Sequence, residues 1–151
     1  MSAIMKNIGA FIQLLRASAN AALTAGGAGD NTEVVGVTID RLAYGSALSA
    51  VICIPFKAVL AAAATLSIGW KLYHSDAANM AGETVLTEAA AAVVATGGGG
   101  GTTEAGQVEA DVSLDGAKRY IRLKFTPNLS AANTDTAECS SVIALGGQTE
   151  I

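Results

Sequence analysis

Three stretches of this chain alternate strictly between apolar and polar residues. In residues 65–74, Leu66, Ile68, Trp70 and Leu72 fall on one side, and Thr65, Ser67, Gly69, Lys71 and Tyr73 on the other. In 108–115, Val108, Ala110, Val112 and Leu114 alternate with Glu109, Asp111, Ser113 and Asp115. In 120–125, Ile121, Leu123 and Phe125 alternate with Tyr120, Arg122 and Lys124. A period of two places successive side chains on opposite faces of a strand. Each stretch therefore reads as a strand with one buried face. Such faces need a second layer to cover them. The expected core is Leu66, Ile68, Trp70, Leu72, Val112, Leu114, Ile121, Leu123 and Phe125.

Weaker strand patterns cover 33–41, 46–56, 84–94 and 138–145. Helix competes over 88–94, where alanine favours it, while Val93, Val94 and Thr96 favour strand. Turn signals lie at 43–45, 74–82, 97–101, 115–116 and 127–135. Seven or eight strands spaced in this way predict an all-β antiparallel two-sheet sandwich. The expected organisation is an N-terminal arm with a glycine-rich tether (1–31), a β-sandwich domain (32–147) and a short tail (148–151).

A chain of 151 residues suits one domain. The net charge of −4 and pI near 4.8 argue against a nucleic-acid partner. The mean hydropathy of +0.44 is high. The apolar runs 47–56 and 58–66 are too short to span a bilayer and are parted by Lys57, so no membrane partner is expected. Coverage by neighbouring subunits accounts better for that hydropathy. At the N-terminus, Gln13 interrupts the apolar stretch and Arg16 follows it, which suits a secretory signal poorly.

Converging titratable groups are scarce. There is one histidine, His74, and 15% of the chain is charged. No catalytic residue, metal site or cofactor is expected. His74-Ser75-Asp76 are adjacent in sequence, which does not make them a triad in space. The run Gly97–Gly101 lacks the lysine of a phosphate loop and reads as a flexible loop that tolerates shortening. The acidic residues Glu104, Glu109, Asp111 and Asp115 read as a solvated strand face. Cys53 and Cys139 match no metal spacing. They read as buried small hydrophobes, with a disulfide left open.

Two features point to contact surfaces. Ile4, Ile8, Phe11, Ile12 and Leu15 recur at three- and four-residue spacing, giving one apolar helix face. An extended arm carrying Ile8, Phe11 and Leu14 is the alternative. Such a segment either packs on its own sandwich or docks on another subunit. The second feature is Ala61, Ala62, Ala63 and Ala64, within an apolar stretch read as a strand from 58 to 66. Side chains this small permit close approach of another layer, either the chain's own second sheet or a partner.

Residues 41–147 resemble the capsid cement, or decoration, proteins of tailed bacteriophages. The block LAYGSALSAVICIPFKAVLAAAATLSIGWKLYHSDA carries part of the likeness. A glycine-rich loop, the stretch L-x-x-x-K-R-Y-x-R-x-x-x-T-P-x-L-S and a final apolar strand VIALGG carry the rest. The long motif is filled by Leu114, Lys118, Arg119, Tyr120, Arg122, Thr126, Pro127, Leu129 and Ser130. The resemblance implies a jelly-roll sandwich without enzymatic activity, on the outer surface of the virion. It implies two partners: the major capsid protein, and other copies of itself in a dimer or higher homo-oligomer. A tail-tube or head–tail connector component is an alternative, as is a carbohydrate-binding or adhesive β-module.

Overall fold

A computed structural model describes residues 8–130 and 134–147. The chain forms two antiparallel sheets. The first contains β1 (Gln13–Arg16), β2 (Ala21–Thr24), β5 (Ser49–Leu60), β8 (Thr102–Ser113), β10 (Thr136–Cys139) and β11 (Val142–Gly146). The second contains β3 (Val34–Val35), β4 (Ile39–Asp40), β6 (Thr65–Ser75), β7 (Thr84–Thr96) and β9 (Tyr120–Leu129).

Several of these strands are pieces of one. β10 and β11 pair with successive parts of β5, and β2 and β1 pair with β10 and β11 in turn. β3 and β4 pair with successive parts of β9. Counting each collinear pair once gives eight strands. Their order is sixth–third–eighth–first in one sheet and second–seventh–fourth–fifth in the other. That order is a jelly roll.

The alternating residues build the core as their period requires. Leu66, Ile68, Trp70, Leu72, Val112, Leu114, Ile121, Leu123 and Phe125 are all buried, Trp70 at 7% exposure. Val112 and Leu114 lie with Ile52, Ile54, Phe56, Ile143 and Leu145 on the side of the first sheet, and the rest of the set meets them from the second.

The two prolines inside strands sit where a missing N–H costs little. Pro55 accepts a bond from the Ser140 N–H, at the gap between β10 and β11. Pro127 accepts from the Asn31 N–H, beyond the end of β3. The turn expected from residue 127 therefore begins later, after Leu129.

The division at residue 31 does not hold. Residues 13–24 are strands of the sandwich. Leu15 pairs with Ile143 and Leu23 with Ala137. Of the apolar residues at helix-like spacing, Leu15 thus lies in a strand, paired with the far end of the described chain. The glycine-rich tether is tied down as well. The Asp30 carboxylate accepts from the Gly26 and Leu129 N–H groups, both at 2.8 Å. Residues 148–151 lie outside the described residues.

The apolar stretch from 58 to 66 is also not one strand. β5 ends at Leu60, and Ala61–Ala64 form a turn that crosses to β6 in the opposite sheet. The second alanine run, Ala89–Ala92, is strand rather than helix, within β7.

The two long sides of the sandwich differ. On one, the Val37 N–H bonds to Ala17 O and the Gly36 N–H to Leu123 O, stitching the sheets together. A Cβ on Gly36 would lie 2.5 Å from Ala17 O, so only glycine fits there. On the other side run β7 and β8, the outer strands of their sheets.

Candidate interaction surface

The loops between strands gather at two ends. At one end, Arg41 is buried at 7% exposure. Its guanidinium donates only to backbone carbonyls: those of Ala47, Leu114, Ala117 and Lys118. Burial lowers its pKa. Every donor is occupied, so Arg41 staples two loops and offers nothing to a ligand.

Nearby, Arg119 pairs with Asp40 at 2.7 Å and holds that carboxyl below its ordinary value. Lys118 pairs with Asp76 at 3.3 Å. His74 Nδ1 accepts from the Lys118 N–H at 3.2 Å, and burial, then Lys118, lowers its pKa. Ser75 donates to Ala81 O and accepts from the Ala77 N–H. His74, Ser75 and Asp76 thus each serve the loop separately and form no relay.

The outer face of the second sheet is charged and internally paired. Lys124 bonds to Glu83 and stands 4.3 Å over the Tyr73 ring. Arg122 bonds to Thr38 at 2.7 Å, and Lys71 pairs with Glu88 at 3.2 Å. Among the described residues, no group of three or more His, Cys, Asp or Glu could hold a metal. No described helix is long and apolar enough to cross a membrane. Cys53 points outward from β5 and Cys139 inward from β10, so the two stay free thiols. Burial pushes Cys139 up to about 11.

The outer face of the first sheet is different. Leu14 is 72% exposed beside Ala144 and Val51. Phe11 and Ile12 are exposed just before it, and Leu48 just before β5. Ile12, Leu48, Val51, Asp111, Ala144 and Gly146 line an open depression of about 500 Å³. It forms because Ala144 and Gly146 present little or no side chain between the larger residues on either side. An apolar concavity on an otherwise solvated surface is a contact feature.

The expected contact residues distribute as follows. Ile4 lies outside the described residues. Ile8 opens a short 3-10 turn through Phe11. Phe11 and Ile12 flank or line the depression. Leu15 instead faces inward and packs against the core. Ala61, Ala62 and Ala63 are exposed at a turn and Ala64 is buried, so they offer no sheet face to a partner. Leu48 and Val51 were not singled out by spacing, and Leu14 only in the extended-arm alternative with Ile8 and Phe11. Their strands alternate, but Leu14 sits in a strand of four residues, too short for its period to declare a side.

Most residues of the long motif perform structural tasks. Leu114, Pro127 and Leu129 are buried. Lys118 and Arg119 make the loop ion pairs, with Arg119 also 5.0 Å from the Tyr120 ring centre. Ser130 Oγ accepts from the Thr65 N–H at 2.8 Å.

No family model matches the chain, and no curated protein matches it. Among solved structures it is similar to that of infectious bursal disease virus Gx strain. The identity is 13% and the TM-score 0.47, over 91% of this chain and 33% of that one. It is similar to the PBSX exported protein XepA at 22% identity and TM-score 0.47, over 97% of this chain and 40% of that one. A third likeness is to latent PorU from Porphyromonas gingivalis, at 6% identity and TM-score 0.46, over 90% and 12%. The chain thus spans well under half of each of these proteins.

Proposed function

We propose that this chain is a non-enzymatic cement protein of a bacteriophage capsid, bound to the outer surface of the shell. The observation that carries the reading is the sequence resemblance from residue 41 to 147. A jelly roll by itself hosts many functions and decides nothing. The surface chemistry agrees with the reading. Charged groups on the outer face of the second sheet are spent on each other, and an apolar depression opens on the first.

The mechanism is mechanical. A protein that binds only the assembled shell stabilises it by mass action. Repeated weak contacts act together through avidity. The apolar surface around Ile12, Leu14, Leu48 and Val51 supplies the burial, with the N-terminal segment beside it.

The test adds purified protein to shells that lack it, then measures copies bound per particle and the temperature of shell disruption. Saturation at hundreds of copies with a raised disruption temperature supports cement. Binding confined to a few copies at one vertex would replace it with a connector role.

A further inference from the structure

Traced towards its N-terminus, the chain leaves its own sandwich at the rim of the apolar depression. The Phe11 carbonyl is 4.0 Å from where a Cβ on Gly146 would lie. Two residues earlier, a Cβ on Gly9 would meet nothing within 4 Å, and residues 9–12 are all exposed. Residues 9–12 thus stand in the open at the rim of the depression.

The segment beyond, residues 1–7, is MSAIMKN: mostly apolar, with a single charged side chain, Lys6. The depression it leaves behind is apolar with a single charged lining residue, Asp111. Asp111 has no ion-pair partner among the described residues. Segment and depression therefore match in both respects. Seven extended residues reach roughly 23 Å, enough to cross to a neighbouring molecule.

We propose that the depression is the seat for residues 1–7 of a second copy of this chain, with Ile4 entering the apolar floor and Lys6 pairing with Asp111. The exchange makes a homo-oligomer in the absence of any shell. Its test is therefore independent of the cement reading.

Sedimentation or light scattering of the intact protein over a concentration series should show reversible self-association. Ile4→Asp should weaken it about tenfold or more, as expected for losing a buried branched side chain. Lys6→Asp and Asp111→Lys should each weaken it about threefold, in line with an ion pair at a partly wetted rim. The double reversal should return association to within about twofold of the original, because the pair is restored in opposite sense. Matching circular dichroism melts would establish that each variant is folded. A protein that is monomeric at every concentration overturns the proposal, as does a double reversal no better than either single change.

Discussion

The two runs of four alanines share a sequence and no structure. Ala61–Ala64 reverses direction between the sheets, with Ala63 at φ +62°. Ala89–Ala92 runs along the edge strand β7 with all four residues exposed. Alanine imposes little of its own, so the surroundings decide. The first run joins Leu60 to Leu66, which are buried in opposite sheets. The chain must cross the gap, and three bonds fix how. The Ala61 N–H bonds to the Asp135 carboxylate at 2.9 Å, the Ala63 N–H to Gly97 O, and the Gly97 N–H to Ala64 O. The second run has β6 along one side. It pairs with irregular register, including a shift between Ile68 and Trp70 where Gly69 makes room. A Cβ on Gly69 would come within 2.9 Å of the Ala91 N atom. Such irregularities twist an edge and hinder further strand addition.

The largest perturbation should come from Trp70, the cross-strand neighbour of Ala89. Trp70→Ala should cost about 3–5 kcal/mol in chemical denaturation. A cost under 1 kcal/mol would mean that β7 is not held through this contact. Gly97→Ala comes next. Its Cβ would sit 2.0 Å from Ala61 O, so the crossing must distort. A loss of about 1–3 kcal/mol is expected. Enlarging Gly99, which has open space around it, should do almost nothing. The loop is thus free at its tip and fixed at its base, a refinement of the expectation that it tolerates shortening.

Asp135→Ala removes the acceptor for the Ala61 N–H and should cost about 1–2 kcal/mol. The same denaturation assay reads it, and an unchanged midpoint would show that the turn closes without it. The smallest effects are the most discriminating. Ala63→Gly should stabilise by about 0.5–1 kcal/mol, since relief of a left-handed alanine outweighs glycine's added chain entropy. Ala89→Gly should destabilise by a similar amount, about 0.5–1 kcal/mol, because nothing offsets that entropy in a strand. Shifts of the same sign would refute the contrast between the runs.

What the sequence made legible follows the same logic. β6, β8 and β9 announce themselves because large apolar residues alternate with charged ones, and their inward faces form the core. The alanine turn was hidden because a run of identical small residues has no phase. β1 and β2 were hidden because each is four residues long and finds its partner over a hundred residues away. The apolar depression was half visible. Phe11 and Ile12 stood out by their three- and four-residue spacing. Leu14 and Leu15 exchanged roles, because a helical period and a strand period assign them to different faces. The motif that carries the family likeness proved to be architectural, so it located the fold and no site.

The pairing of β1 with β11 carries a consequence for how the protein is made. Gln13 must wait for Leu145, and Arg16 for Val142. At roughly 5–20 residues per second of synthesis, that delay is on the order of ten seconds. Until then Leu15 and Leu23 have no sheet to enter, and β5 lacks its neighbours on one side. The first sheet is therefore completed only once residues 142–146 have been made. Contacts of such separation close slowly. A ribosome stalled short of residue 142 would hold a nascent chain whose apolar strand edges remain open to whatever else is being translated nearby.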